Sequence, residues 1–205
     1  MNRYLTGSVV WPAGWTKLRV YFIPRLDEIG PLAARYREVL RQFDFVSPII
    51  DEWLHATVAV VQDRPAHAVA RAERSLLESQ LRQRLGRLPA FTVSAGGAVA
   101  CRHGVLLDLT PDVEWVNLER NARSVVAEIF GDRANHYDGG RPHIALAYGT
   151  GPGDSGLVQS ALRNATDLRV PLTVDNVRLV DVTQDAVRHE FRWRELALIS
   201  LGKVS

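Results

Sequence analysis

The stretch WLHATVAVV, at positions 53–61, holds the pattern that decides the fold of this chain. Its histidine, His55, opens a run of apolar and β-branched residues, which is typical of a buried strand. Residues two apart in a strand point to the same face of the sheet. We therefore expect His55 and Thr57 to project together from the start of one strand.

A second stretch, RPHIALAYG at positions 141–149, has the same design. His143 opens an apolar run, and the small residue two places further on is Ala145. Each histidine strand follows one predicted helix and precedes another, so the order strand, helix, strand, helix, strand occurs twice. We interpret this as an internal duplication of element order, with the two halves packed as lobes of one body.

The spacing of apolar residues and the positions of Gly and Pro predict the other elements. Strands are predicted at 18–23, 91–100, 104–109, 168–182 and 188–201. Helices are predicted at 27–43, 66–85, 111–130 and 155–162. The sequence has no Gly-x-Gly-x-x-Gly after its first strand, no Walker loop and no Gly-x-Ser-x-Gly elbow, which argues against dinucleotide-binding, P-loop and α/β-hydrolase folds.

Composition places the chain among ordinary globular proteins. It has 205 residues, of which 46% are hydrophobic and 23% charged, with a formal net charge of +2. These values exclude wholesale disorder, collagen and coiled coil. No apolar run approaches the roughly 18 residues of a membrane span, no signal peptide is evident, and the single cysteine, Cys101, precludes an internal disulfide. We expect a cytoplasmic protein without membrane contact, and no obligate protein partner is evident.

The paired histidines indicate a specific chemistry. Related strands brought together about a pseudo-twofold axis would place His55 and His143 across one cleft. Two imidazoles so placed can transfer a phosphoryl group without metal, since one takes a proton from the attacking oxygen and the other gives one to the leaving oxygen. A histidine pKa of about 6.5 suits both roles at neutral pH. The Thr57 hydroxyl can donate a hydrogen bond to a phosphoryl oxygen.

These two motifs resemble the paired His-x-Thr/Ser motifs of the two-histidine (2H) phosphoesterases, the superfamily of 2′-5′ RNA ligase-like proteins and cyclic phosphodiesterases. His55-Ala-Thr57 matches the first motif fully, whereas His143-Ile-Ala145 matches the second in part because Ala145 has no hydroxyl. The segment 188–201 resembles the last strand of the family. The resemblance implies an α+β fold over residues 1–205, a single bilobal domain with two small antiparallel or mixed sheets, flanking helices and a central cleft.

The resemblance also implies a function. The family resemblance implies a phosphoesterase that needs no metal or cofactor and that acts on 2′,3′-cyclic or 2′-5′ phosphodiesters of nucleotides or RNA ends. His55 and His143 would be the acid and base, in an order that depends on substrate orientation, and Thr57 would bind the phosphate.

The remaining candidate substrate-binding residues surround these motifs. Many family members have a basic residue five places after the second histidine, where this chain has Tyr148, whose phenol could donate a hydrogen bond or stack on a base. Arg141 is one side chain that could compensate for the missing second-motif groups. Trp53 lies two places before His55, on the same predicted face, and is a candidate for the cleft wall as well as for the core.

Two alternatives stay open at this point. Ala145 motivates the first, a nucleotide-binding module of the same fold that has weak or no catalysis. In the second, His55 and His143 join a carboxylate such as Asp51 or Asp138 in a metal site. No His-x-His, His-x3-His or Glu-x-x-His spacing supports that second alternative.

Overall fold

The computed structural model describes residues 1–6, 10–136, 140–165 and 168–202. Within these ranges the chain forms nine strands and four α-helices. The strands are β1 (Thr16–Phe22), β2 (Val46–Pro48), β3 (Ala56–Val60), β4 (Phe91–Cys101), β5 (Gly104–Thr110), β6 (His143–Gly149), β7 (Arg169–Val174), β8 (Asn176–Asp185) and β9 (Glu190–Ser200). The helices are α1 (Leu26–Leu40), α2 (Arg71–Leu85), α3 (Val113–Phe130) and α4 (Ser155–Ala165).

The strands form two antiparallel sheets, which confirms the predicted α+β class. The first sheet has four strands in the order β3-β1-β8-β9, and the second has five in the order β2-β6-β5-β4-β7. Each sheet takes strands from both ends of the sequence. The strand that follows His55, β3, lies in the first sheet, and the strand that His143 opens, β6, lies in the second. Neither sheet is built from one contiguous half of the chain.

The prediction of one long strand over 168–182 is wrong. The segment contains two strands that belong to different sheets: β7 pairs with β4, and β8 pairs with β1 and β9. The buried apolar positions shift by one residue at Asp175-Asn176, from Leu172 and Val174 to Val177 and Leu179, and this change of phase marks the crossing. Pro171 lies within β7, which is an edge strand and tolerates a residue without a backbone N–H.

Apolar helix faces cover the sheets. In α3 the buried side chains follow the predicted spacing of three and four, through Trp115, Leu118, Ala122 and Val125. One cluster of buried apolar side chains includes members from both sheets, so the two sheets share a core. No helix among the described residues is long and apolar enough to cross a membrane.

A close approach between β5 and β6 requires glycine at one position. A Cβ atom on Gly104 would lie 2.2 Å from the carbonyl oxygen of Ala147, far inside van der Waals contact. Gly104 and Ala147 both line the cavity described below. Glycine at this position therefore brings the β4–β5 turn against the strand that carries His143.

Candidate active site

A cavity of about 280 Å³ lies between the two sheets, and both motif histidines line it. The first sheet and the residue just before β3 supply one wall, formed by Arg19, His55, Thr57 and Phe191. The second sheet supplies the other wall, formed by Leu106, His143, Ala145, Ala147 and Tyr148. Tyr4 and the β4–β5 turn, with Cys101, His103 and Gly104, complete the lining. The structure thus brings together five of the seven site residues that the sequence predicts.

The two histidines are held by the same local hydrogen bond. The Nδ1 atom of His55 lies 2.9 Å from the carbonyl oxygen of Trp53, and that of His143 lies 2.7 Å from the carbonyl oxygen of Arg141. A carbonyl oxygen can only accept, so Nδ1 carries the proton in both rings. Nε2 is then the ring nitrogen that is left available to exchange a proton with another group.

His55 is enclosed by aromatic rings. Only 7% of the residue is exposed, its ring stacks on Tyr21 with 4.0 Å between centroids, and it meets the Trp193 ring in a T-shaped contact with 5.0 Å between centroids. The pKa of His55 is lowered to about 3, mainly by burial and in smaller part by the charges of Arg19 and His143, while the hydrogen bond to the Trp53 carbonyl acts in the opposite direction. His55 is therefore a neutral imidazole with an unprotonated Nε2 at physiological pH.

His143 has a more open environment. It is partly exposed, and Asp108 of β5 lies directly across from it in the strand register. The two residues also border a smaller cavity of about 170 Å³. His143 is therefore open to solvent, whereas His55 is enclosed by aromatic rings.

The side chains beside the histidines differ between the two walls. Thr57 lies across from Tyr21 in the register of β3 and β1, and it is partly exposed to the cavity. Ala145, at the matching position of β6, offers the cavity only a methyl group. Tyr148 stacks on Tyr4 with 4.8 Å between centroids and an interplanar angle of 8°. The cavity therefore has a hydroxyl donor on one wall and an aromatic surface on the other.

Two predicted site residues have side chains outside this cavity. The Arg141 side chain is exposed and borders the smaller cavity, while its backbone carbonyl holds His143. The Trp53 ring packs against Trp193 at 4.8 Å and lies under Arg192, while its carbonyl holds His55. The structure thus places Trp53 and Arg141 in equivalent backbone roles, two residues before each histidine.

Eight of the thirteen lining residues were not predicted from the sequence, and Tyr4, Arg19, His103 and Phe191 are the polar or aromatic ones among them. The signal for Arg19 was present, because polar and apolar residues alternate along β1 and the apolar ones are buried. That alternation predicts a strand with one polar face. Tyr4 depends on a remote contact, since its N–H donates to the carbonyl of Gly149 over 2.9 Å.

The metal-site alternative depends on carboxylates near the histidines. Asp51 forms an ion pair with Arg37 of α1, and Asp138 lies outside the described residues. Over the ranges that the structure describes, no three or more His, Cys, Asp or Glu side chains are grouped as a metal ion would require. The described part of the chain therefore offers this alternative no ligand set.

Comparison with known proteins identifies the fold. No family model matches the sequence, and no curated protein matches it. Among solved structures, TT0787 of Thermus thermophilus is similar with a TM-score of 0.69 and 18% identity, over 91% of this chain and 98% of that one. Apo LigT of E. coli is similar with a TM-score of 0.63 and 16% identity, over 92% of this chain and 99% of that one.

A protein described as a phosphoesterase is similar with a TM-score of 0.60 and 17% identity, over 92% of this chain and 99% of that one. LigT has also been crystallised with ATP, NADP⁺, phosphate and 3′-AMP. At these identities the likeness concerns the fold. The chain has the α+β fold of LigT and TT0787, in agreement with the fold that its resemblance to the two-histidine phosphoesterases implies.

Proposed function

We propose that this protein is a metal-independent phosphoesterase that acts on 2′,3′-cyclic or 2′-5′ phosphodiesters of nucleotides or RNA ends. One observation carries the proposal: His55, just before β3 of the first sheet, and His143, at the start of β6 in the second, line one cavity. In each, Nδ1 is hydrogen-bonded to the carbonyl oxygen two residues earlier. Both rings therefore have Nε2 available for proton transfer. The LigT-like fold supports the same class of enzyme.

The enclosure of His55 and the exposure of His143 support different roles for them in the proposed hydrolysis. Neutral His55 takes a proton from water at Nε2 while the water oxygen forms a bond to phosphorus. The bond from phosphorus to one ribose oxygen breaks, and His143 donates the proton on its Nε2 to that oxygen. The products are a phosphomonoester and a free ribose hydroxyl. The proton gained by His55 returns to His143 through solvent, so no cofactor or oxidant is required.

The other lining residues suit a nucleotide. Thr57 can donate its hydroxyl to a phosphoryl oxygen, and the stacked rings of Tyr148 and Tyr4 offer a surface for a base. A cavity of about 280 Å³ is near the lower limit for small-ligand sites, so an RNA substrate would place its terminal nucleotide there. Arg141, at the rim, would then contact the chain that extends outside.

A second candidate function rests on Ala145. The wall that carries His143 has no hydroxyl at this position, and losing one oxyanion donor costs about 10²–10³ in rate. A protein that has lost catalysis while keeping the cavity would bind nucleotides without turning them over. The structures of LigT with ATP and NADP⁺ show that a protein of this fold accepts such ligands.

Hydrolysis of 2′,3′-cyclic mononucleotides in the presence of EDTA tests the proposal. Wild type should turn the substrate over, and the His55→Ala/His143→Ala variant should not, with circular dichroism confirming that both are folded. Activity that EDTA abolishes would favour the metal-dependent alternative. Nucleotide binding by calorimetry without turnover would favour the binding module.

We also propose a cytoplasmic location, because a chain with a single cysteine has no internal disulfide to stabilise it outside the cell.

A further inference from the structure

The cavity has to bind an anion with fewer donors than the paired motifs would supply. A phosphodiester has two non-bridging oxygens that share a full negative charge. On the β6 wall, Ala145 stands at the hydroxyl position and Tyr148 at the position where a basic residue would lie. The donors that replace them must come from another element of the structure.

We propose that Arg19 is the phosphate-binding cation of this site, in place of the groups that the second motif lacks. The inference rests on the proposed function and deepens it. Arg19 lies on the same wall as His55 and Thr57, although it is distant from both motifs in the sequence. Its guanidinium can present two parallel N–H groups to two phosphoryl oxygens.

The strand register fixes where Arg19 points. β1 lies between β3 and β8, so both of its edges are paired and its backbone is held on two sides. Arg19 and Tyr21 are two residues apart and share one face, and Tyr21 lies directly across from Thr57. The Tyr21 ring stacks on His55, and its hydroxyl accepts a hydrogen bond from Nη1 of Arg19 over 3.1 Å. Tyr21 thus links the cation to the imidazole.

Aromatic packing holds the guanidinium in place. It lies 5.1 Å from the ring centre of Trp11 and 5.1 Å from that of Phe191. These two rings are themselves 5.7 Å apart, and the backbone N–H of Trp11 donates to Gln184 of β8. Rings packed on a guanidinium restrict its rotation and leave the N–H groups in its plane for hydrogen bonding. The cation is therefore oriented before a ligand enters.

The charge around the cavity favours an anion. The thirteen described residues that line it include Arg19 and three histidines and no carboxylate. The aromatic walls reduce screening by water, which strengthens the attraction between a guanidinium and a phosphate. The charge of Arg19 also lowers the pKa of His55, so the two groups interact across the wall. Since Arg19 and His55 line the same cavity and both contact Tyr21, a phosphate bound to Arg19 would lie close to the proposed base.

Calorimetry with two probes tests the proposal separately from turnover. The probes are 3′-AMP and adenosine, which differ by the phosphate alone. Replacing Arg19 by Met should weaken binding of 3′-AMP by about 10- to 100-fold and leave adenosine unchanged, since a hydrogen-bonded charge is lost. Arg19→Lys should recover part of the loss. The control is Arg120→Met, which removes an exposed arginine of α3 and should bind both probes as wild type does.

Three results would overturn the role of Arg19. The first is unchanged 3′-AMP affinity in a folded Arg19→Met variant. The second is equal weakening of both probes, which would assign Arg19 to the base or to packing. In the third, Arg19→Met keeps the wild-type kcat/KM on 2′,3′-cyclic nucleotides; the phosphoesterase assignment would then stand without it. A wild type that neither binds 3′-AMP nor turns over cyclic nucleotides would remove both proposals.

Restoring the motif hydroxyl provides a second test. Adding Ala145→Thr to Arg19→Met should recover several-fold in 3′-AMP affinity, because a donor returns to the phosphate from the opposite wall. The same substitution in wild type should produce a smaller gain, since Arg19 already neutralises the charge. Equal gains in both backgrounds would show that the two groups bind independently and would contradict the replacement of one by the other.

Discussion

The two histidine walls of the cavity share a backbone arrangement and differ in their surroundings. Both rings are fixed through Nδ1 by the carbonyl two residues earlier, at 2.9 and 2.7 Å. His55 is then buried under Tyr21 and Trp193, whereas His143 is partly exposed beside Asp108. The shared part leaves Nε2 of each ring available for proton transfer. The part that differs keeps Nε2 of His55 unprotonated, and in the proposed hydrolysis this lets a nearly symmetric pair work as a base and an acid.

Removing the histidines one at a time should have the largest effect. His55→Ala and His143→Ala should each lower kcat on a 2′,3′-cyclic nucleotide by about 10²–10⁴-fold, because each removes one of the two proton transfers. The double variant should be little worse than either single one, since base and acid act in the same step. Steady-state kinetics on the three variants checks this. Losses that multiply in the double variant would mean that the histidines serve separate steps.

The next largest effect concerns the motif hydroxyl, which Thr57 supplies beside His55 and which Ala145 lacks beside His143. Thr57→Val keeps the shape of the side chain and removes the donor, so kcat/KM should fall by about 10²-fold. Thr183→Val is a matched control, because Thr183 is an exposed strand residue of β8 outside the cavity lining. If both variants kept wild-type kcat/KM, Thr57 would have no role in binding the phosphate.

The features that could be predicted from the sequence depend on neighbouring residues, whereas the features that were missed depend on contacts between distant segments. A histidine followed by an apolar run is a pattern of adjacent residues, so both motif strands could be predicted from it. The expectation that they share a cleft came from the duplicated order of elements and from the family resemblance. The burial of His55 depends on Tyr21 of β1 and Trp193 of β9, which the sheet order brings together from opposite ends of the chain. No periodicity within one segment records that pairing.

The missed residue Arg19 and the wrong strand prediction over 168–182 have the same physical origin. Arg19 reaches the cavity because β1 lies beside β3, and the sequence alone does not state which strands are neighbours. The wrongly joined strand at 168–182 crosses from one sheet to the other at Asp175 without a glycine or proline at the break. Alternation reveals which face of a strand is apolar, and it does not reveal which sheet the strand joins.

Acid should destabilise the fold through His55. The pKa of this ring is about 3 in the folded protein and about 6.5 in an unfolded chain, so between these values only the unfolded state holds the proton. The free energy of unfolding should therefore fall as the pH falls below about 6.5, by up to about 1.4 kcal/mol per pH unit.

Urea denaturation between pH 7.5 and 4.5 measures this effect. His55→Gln cannot be protonated, so its free energy of unfolding should lose less per pH unit than that of wild type. Parallel curves for the two proteins would show that His55 is not held neutral by burial. The same neutrality predicts that kcat/KM of the folded enzyme does not lose its base between pH 6.5 and about 4, where a histidine base of ordinary pKa would be lost.

The smallest effect should separate the ring of Tyr148 from its hydroxyl. Tyr148 stacks on Tyr4 and makes a T-shaped contact with Phe191, with 5.7 Å between the ring centroids. The aromatic face of Tyr148 is therefore the part of the β6 wall suited to a base. Tyr148→Phe keeps that face and should change the Kd of 3′-AMP by less than about threefold. Tyr148→Leu removes it and should weaken binding by about tenfold, as expected for one lost base stack. Calorimetry on the two variants decides the point: a large loss in Tyr148→Phe would assign the phenol hydroxyl to the ligand and restore a polar donor to the wall that carries His143.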